Sequence, residues 1–337
     1  MSLLALDRSF AAALPRGLPA GSAFDWWYLD ARDDHGGGLV VIWASRLPLL
    51  QSGEPAINLC VYQDHREAFW LLQQHNRSEW REARRPGGFE LRLGESRFEL
   101  RRDGDRCSLQ LTLDADVPGA ERVCAELSAT GLTPLRDGEP ERHEHRWVPI
   151  LPVARVEAQI ACGSFQYALR GPGYADRNLG ERGLRELGLG GWQWGRARQG
   201  ERCRIWYALE GVGAGVGETH LVDCDGVALS ERVVRGPSVE ERGAALGLEV
   251  DPSPAAIVER GPFYQRALGS LRWDGAEVPA LHERCDVTRL DTVLGPLVRM
   301  RVHQTARRNS LWLPLFSGPR AGRWSRLVRS LQRRVVP

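Results

Sequence analysis

The sequence predicts an all-β protein of antiparallel strands with one short amphipathic helix at its C-terminal end. Three observations predict it. Apolar and polar residues alternate through much of the stretch from Phe24 to Trp273, the period of a strand with one buried face. Glycine and proline, 37 and 20 of 337 residues, interrupt these runs at turn spacing. Helical periodicity is absent until Trp324, Leu327, Val328, Leu331 and Val335 fall on one helical face, with Arg323, Arg326, Arg329 and Arg333 on most of the remainder.

Taken in order, residues 1–20 read as an N-terminal extension. Phe24-Asp25-Trp26-Trp27-Tyr28 opens the strand region, and its consecutive aromatics must point to both faces. Leu39–Trp43 and Ile57–Tyr62 are further strands. Phe89, Leu91 and Leu93 alternate with polar residues. The pattern resumes at Phe98 and Leu100 after Gly94-Glu95-Ser96, and at Cys107, Leu109 and Leu111 after Asp103-Gly104-Asp105, which is an antiparallel meander. The polar stretch from Thr133 to Glu144 reads as an exposed loop. The segment from His145 to Asp176 continues what precedes it, so the main boundary is placed in the Gly-rich region after Tyr174, dividing the body into 21–175 and 176–318. Cys203–Leu209 and His220–Asp223 continue the strand theme, and the glycines between 211 and 217 mark a flexible loop. Residues 319–337 form a basic amphipathic tail, whose apolar face either enters the acyl boundary of a membrane or packs on the protein's own acidic body.

Composition narrows the function. No run of 18 apolar residues is present. The N-terminus meets Asp7 and Arg8 too early for a secretory signal. Seven scattered cysteines form no Cys-x-x-Cys pair, so neither a disulfide framework nor a zinc knuckle is expected and a reducing cytoplasm fits. All 45 basic residues are arginine, which excludes lysine Schiff bases and the P-loop. Ten of these arginines and no acidic residue follow Asp291; with a net charge of +2, the chain up to Asp291 carries −8. A basic tail on an acidic body points to an anionic partner. No aromatic RNA-binding strand is found, so nucleic acid is not expected and peripheral contact with an anionic membrane is.

The residues that carry chemistry cluster in three places. Gly173-Tyr174-Ala175-Asp176-Arg177-Asn178-Leu179-Gly180 is read as a Gly-rich turn between strands. Trp192-Gln193-Trp194 follows it, and His145-Arg146-Trp147 precedes it. Asp176 has two readings: a turn aspartate accepting from backbone N–H groups, or a carboxylic acid in an apolar pocket with a raised pKa. His145 reads either as a polar strand residue facing solvent or as a partner of that acid. His143, His145, His220, His282 and Asp223 supply no third and fourth ligand at readable spacing, so no metal is expected. An acid, an imidazole, a phenol and several of the twelve tryptophans together suit the delivery of a proton to carbon and the shielding of the resulting cation by indole faces. That chemistry needs no cofactor. No G-x-S-x-G, P-loop or helix-opening G-x-G-x-x-G is present.

In order along about the first 200 residues, Trp26-Trp27-Tyr28, then His145 and Trp147 leading into Pro152-Val153-Ala154-Arg155-Val156, then Gly173, Tyr174, Asp176, Asn178 and Gly180, then Trp192 and Trp194 resemble the carotenoid 1,2-hydratases, also called hydroxyneurosporene synthases, and their lipocalin-like relatives. Beyond about residue 210 the pattern is not followed. The resemblance implies two consecutive lipocalin-like β-barrels, over 21–175 and 176–318. It also implies addition of water across a terminal carbon–carbon double bond of an acyclic carotenoid.

The expected reaction is a hydration without cofactor. Asp176 protonates the less substituted alkene carbon, and water adds to the tertiary cation. His145 keeps Asp176 protonated or positions and deprotonates the water, Tyr174 hydrogen-bonds one of them, and Trp147 with Trp194 faces the cation. Trp26, Trp27, Tyr28, Asn178 and Trp192 are the remaining substrate-binding candidates. The alternatives are a cyclase of a polyene or prenylated substrate using the same acid, and a carrier of hydrophobic ligands without chemistry. A polyene resides in the bilayer, so the protein is expected in the cytoplasm and peripherally on the inner face of the cell membrane.

Overall fold

In the computed structural model, which describes residues 2–19, 23–48, 53–116, 121–213, 216–250, 256–289, 295–305 and 311–335, the chain forms two curled sheets. The first takes β1 (Ala5–Leu6), β2 (Phe24–Arg32), β3 (Gly38–Arg46), β4 (Ala56–Gln63), β5 (Arg66–Gln74), β6 (Trp80–Arg85), β7 (Gly88–Leu93), β8 (Ser96–Asp103), β9 (Arg106–Ala115), β10 (Val123–Leu132), β11 (His145–Cys162) and β12 (Phe165–Gly180). The second takes β13 (Leu189–Gln199), β14 (Arg202–Gly211), β15 (Gly217–Cys224), β16 (Leu229–Gly236), β17 (Glu249–Val250), β18 (Ala256–Arg260), β19 (Tyr264–Trp273) and β20 (Ala276–Asp286). A last strand, β21 (Val302–Gln304), returns to the first sheet. Among the described residues, α-helix is confined to α1 (Phe10–Ala13), α2 (Val239–Ala245), α3 (Gly295–Arg299) and α4 (Gly322–Val335).

The spatial order of the first sheet is β21-β5-β4-β3-β2-β12-β11-β10-β9-β8-β7-β6, with β1 beside β11. That of the second is β16-β15-β14-β13-β20-β19-β17, with β18 beside β19. Among the described residues, ladders are antiparallel except β1 with β11 and β21 with β5. The meander read from Phe89 to Leu111 is β7-β8-β9. Its alternating apolar residues are buried, and its turns place Gly94 and Gly104 at φ 57° and 60°, the left-handed region that favours glycine.

β2 and β12 form a wall shared by two cores. The strand period of two sends Trp27, Leu29, Ala175 and Leu179 to one side and Trp26, Tyr28 and Tyr174 to the other. The first side fills the curl of the first sheet with aromatic rings, Trp27 against Trp80 at 6.5 Å and Phe89 stacked on Phe98 at 5.8 Å. Each large aromatic removes 150–250 Å² from water, roughly 4–6 kcal/mol gross, so this face is committed to packing. The second side meets the second sheet. There Asp30 of β2 accepts from Arg196 of β13 through both carboxylate oxygens, at 2.8 and 3.0 Å from Nε, a buried ion pair that fastens one sheet to the other.

Three expectations change. The turn expected around Asp176 is the continuous strand β12, so the division placed between residues 175 and 176 falls inside a strand and the change of sheet comes after Gly180. The glycines there answer to close approach, because a Cβ on Gly173 would stand 2.6 Å from the Asp30 carbonyl oxygen and one on Gly180 would stand 2.3 Å from the Phe24 ring. Within 176–318, residues 302–304 belong to the first sheet. The apolar face of the tail turns inward: Trp324 and Val328 are buried with Phe316, and the Arg301 guanidinium stacks 5.5 Å from the Trp324 ring and 3.6 Å from that of Trp70. Arg323, Arg326 and Arg329 are exposed. The boundary at residues 20–21, Arg307 and Arg308, and the side chains of Arg333, Arg334 and Val335 lie outside the described residues.

Candidate active site

Two rungs of directly paired residues face each other across the gap between the sheets. On the first sheet the rung runs Asp176 (β12), Tyr28 (β2), Ile42 (β3), Asn58 (β4) and Leu72 (β5). On the second it runs Tyr207 (β14), Trp194 (β13), Glu283 (β20), Arg266 (β19) and Glu259 (β18). All ten line one cavity of about 90 Å³, with Trp26, Asn178, Trp192, Trp70 and Tyr264 among its other walls. Pockets that engulf a drug-sized ligand run to roughly 300–1,000 Å³, so this one fits the end of a long chain rather than the whole of it.

Asp176 stands mid-strand with its carboxylate aimed at this cavity and 2% exposed. Tyr174 Oη donates to its Oδ2 at 2.8 Å, and Trp147 Nε1 donates to the same oxygen at 2.9 Å and to Tyr174 Oη at 3.1 Å. Asn178 Nδ2 donates to Oδ1 at 3.2 Å. Tyr174 and Asn178 reach the carboxylate because residues two apart on a strand share a face. Burial pushes the Asp176 carboxyl up to about 7; the hydrogen bonds from Tyr174 and Trp147 pull it down, and the charges of Glu283 and Asp30 push it further up. The carboxyl therefore keeps its proton well above the range of an ordinary aspartate. The reading of Asp176 as a turn residue bonded to backbone N–H groups does not hold, since its partners are side chains in a strand.

The remaining expected residues divide. Trp26, Tyr28, Asn178, Trp192 and Trp194 line the cavity with Asp176. Trp147 and Tyr174 lie behind the carboxylate as its hydrogen-bond donors rather than in the cavity wall, so Trp147 offers Asp176 an N–H and not a ring face to a cation. Trp27 belongs on the opposite face of β2, in the core of the first sheet, where its Nε1 donates to the Ala13 carbonyl and Arg177 stacks 4.3 Å above it. Strand alternation forbids three consecutive aromatics from sharing one wall. His145 does not touch Asp176: its Nε2 lies 3.5 Å from Asn178 Oδ1, and its ring meets Phe24 edge-on at 5.0 Å. Burial holds the imidazole down to about 3, so it is neutral and a weak base.

Sequence reasoning did not find the second rung. Glu283 accepts from Tyr28 Oη at 2.8 Å and from Arg266 Nε at 2.7 Å; Arg266 also donates to Glu259 and, at 2.6 Å, to Tyr264 Oη. Glu259 accepts from Trp70 Nε1 at 2.8 Å. The only trace in the sequence is that Tyr264 and Arg266 sit two apart in a strand pattern. The arrangement as a whole offers a protonated acid on one wall, an anionic network on the other, and aromatic rings between them. Tyr28 and Tyr174 both pack against Trp194 at 5.3 Å.

Comparison with known proteins agrees with this architecture. The model of the family described as carotenoid hydratase CrtC matches residues 43–311, well past the point where the motif pattern stops. The acyclic carotenoid 1,2-hydratase of Thiocapsa roseopersicina is 26% identical, over 82% of this chain and 70% of that protein. That of Rhodobacter capsulatus is 29% identical, over 48% of this chain and 59% of that protein, so the chain spans under two thirds of that relative's length. A hydroxyneurosporene dehydrogenase of Chlorobaculum tepidum is 28% identical, over 74% of this chain and 77% of that protein. Among solved structures, CghA shares the fold, with a TM-score of 0.54 over 79% of this chain and 88% of that one at 11% identity. The two curled sheets are thus two lipocalin-like barrel domains followed by a short helix. The chain belongs to the carotenoid hydratase family.

Proposed function

We propose that the protein adds water to a terminal carbon–carbon double bond of an acyclic carotenoid or similar isoprenoid polyene, a hydro-lyase reaction run in the direction of hydration. The observation that carries this reading is Asp176, a carboxyl held near 7 by burial in the wall of an aromatic cavity. With Tyr174 and Trp147 both donating to Oδ2, the transferable proton sits on Oδ1, beside Asn178. Transfer of that proton to the less substituted alkene carbon uses the π pair to form the new C–H bond and leaves a tertiary cation. The Trp194, Trp192 and Tyr207 rings shield the cation, each face worth about 2 kcal/mol or more when desolvated. A water oxygen then forms the C–O bond and loses a proton. No electron changes hands, so the atom balance calls for no redox cofactor.

The size of the cavity supports entry of the isoprenoid end alone, with the rest of the polyene outside it. We place the contact with an anionic membrane on Arg323, Arg326 and Arg329, which face outward on α4, and not on its apolar face. The reaction is tested by incubating the protein with an acyclic polyene and weighing the product. A gain of one water is expected. An isomer of equal mass means cyclisation, unchanged ligand means a carrier, and either would overturn the reading.

A further inference from the structure

Every hydration moves two protons, one onto carbon and one off the attacking water, and Asp176 accounts for the first. We propose that Glu283 takes the second. This rests on Asp176 being the acid. Glu283 is the one carboxylate of the second rung that is bonded to Tyr28, the residue paired directly with Asp176 across β2 and β12. It is also the direct cross-strand partner of Trp194, whose ring stands against Tyr174 and Tyr28 and whose Nε1 has no hydrogen-bond partner among the described residues. A water within reach of Glu283 and that indole would lie on the wall opposite the acid, so the alkene is protonated from one sheet and the resulting cation is captured from the other.

The chemistry suits a carboxylate that is already well bonded. Glu283 already accepts from Tyr28 Oη and Arg266 Nε, so its carboxylate is held in place. Once the C–O bond forms, the oxygen carries a positive charge and is a strong acid, so a weak base suffices. A stronger base in that position would remove a carbon-bound proton from the cation and return an alkene. In the step itself, the water lone pair forms C–O, an O–H pair stays on oxygen, and the proton goes to a Glu283 carboxylate oxygen. Asp176 ends as carboxylate and Glu283 as acid, and exchange with solvent after product release restores both. The Glu259–Arg266–Glu283 chain carries one net negative charge in a buried wall, which favours the cation over the neutral alkene before capture.

The test separates the two proton transfers. Protein is incubated with polyene in D2O, and both alcohol formation and deuterium at the less substituted carbon of the terminal double bond of recovered substrate are measured. Glu283→Gln should lose about a hundredfold or more in hydration while still placing deuterium in recovered substrate, because the cation forms and reverts. Glu283→Asp, which keeps a carboxylate but shortens the side chain, should hydrate faster than the isosteric Gln variant; a purely structural role would reverse that order. Asp176→Asn should lose both readouts. Wild-type hydration in Glu283→Gln, or loss of exchange together with hydration in a folded Glu283→Gln, overturns the assignment. If the Gln variant does not fold, the Asp variant decides: a lower ratio of hydration to exchange than in wild type is expected, and an unchanged ratio overturns it. Exchange and hydration both retained in Asp176→Asn would instead overturn the reading of Asp176.

Discussion

Trp147 and Asp176 meet across the β11–β12 ladder without being ladder partners. The indole Nε1 lies 2.9 Å from Oδ2, although register pairs Trp147 with Asn178 and Asp176 with Pro149. Pro149 has no N–H to give the ladder, and the register shifts between Pro149 and Leu151. On one face of an antiparallel ladder a diagonal neighbour lies within reach of an indole, and Trp147 crosses to the carboxylate in this way.

The stability of the protein should carry the mark of Asp176. A carboxyl whose folded value is about 7 against an ordinary 3.8 stabilises the fold fully below pH 3.8, and that contribution is lost as the pH rises through about 7. The shift corresponds to on the order of 4 kcal/mol. Denaturant unfolding of Asp176→Asn should therefore gain on the wild type between pH 4 and pH 7, while turnover is abolished. A wild-type-minus-variant difference that stays flat over this window would show that the carboxyl is not strained by burial.

Activity should fall as the pH rises through about 7, where Asp176 loses its proton. The hydrogen bonds from Tyr174 and Trp147 favour the ionised form, so removing either moves the loss of activity upward in pH. Tyr174→Phe, profiled for rate against pH, should show its falling limb displaced to higher pH. A limb displaced downward would contradict the donor assignment.

His145 is neutral and reaches Asp176 only through Asn178. General acid–base groups contribute about a hundredfold or more to rate. His145→Gln should cost less than that and leave the pH limb in place, whereas Asn178→Leu should cost more than His145→Gln, because it strips a donor from Oδ1. Steady-state rates of the two variants, side by side, check this ordering.

The clamp on the C-terminal segment is Arg301, whose Nη2 donates to Glu67 Oε1 at 2.7 Å between the Trp70 and Trp324 rings. Arg301→Leu leaves a buried carboxyl without its cation, and unfolding by denaturant should show a loss of about 3 kcal/mol. Burial pushes Glu67 up to about 7 even though Arg301 pulls it down, so without Arg301 the carboxyl protonates at higher pH still, and the loss should shrink as the pH falls towards about 7.

Reversing the outward charges of α4 in Arg323→Glu/Arg326→Glu/Arg329→Glu should weaken binding to anionic vesicles. The residual binding should be less sensitive to salt than that of wild type. Cosedimentation at two ionic strengths measures both quantities.

Much of the fold was legible because period-two patterning is local. Phe89 to Leu111 announced three strands and two glycine turns, and each is found. Within the candidate site, Tyr174, Asp176 and Asn178 were legible as a cluster of polar groups, but the glycines and proline around them read as a turn and hid the strand that puts all three on one face. The partners of that face were not. Alternation reports that Glu283, Arg266 and Glu259 each lie in strand-like sequence, but not that three ladders align them in one rung. Nor does it report that the rung faces Asp176 across a gap between sheets. Trp27 failed for the converse reason, since a motif read as a unit, Trp26-Trp27-Tyr28, is divided by the backbone between two cores. The electrostatics of His145 were not legible either, because its burial, which no spacing reveals, holds the imidazole neutral.

Strand β21 closes the β5 edge of the first sheet with residues 302–304, after the whole second sheet has been laid down. During synthesis the β5 edge of the first sheet therefore stays open until residues 302–304 emerge from the ribosome. An open edge is a template for pairing with another chain. The nascent protein is thus most exposed to aggregation in the interval between completing β5 and delivering β21. Chains that stop short of residues 302–304 should associate, while those that carry them cover the edge themselves.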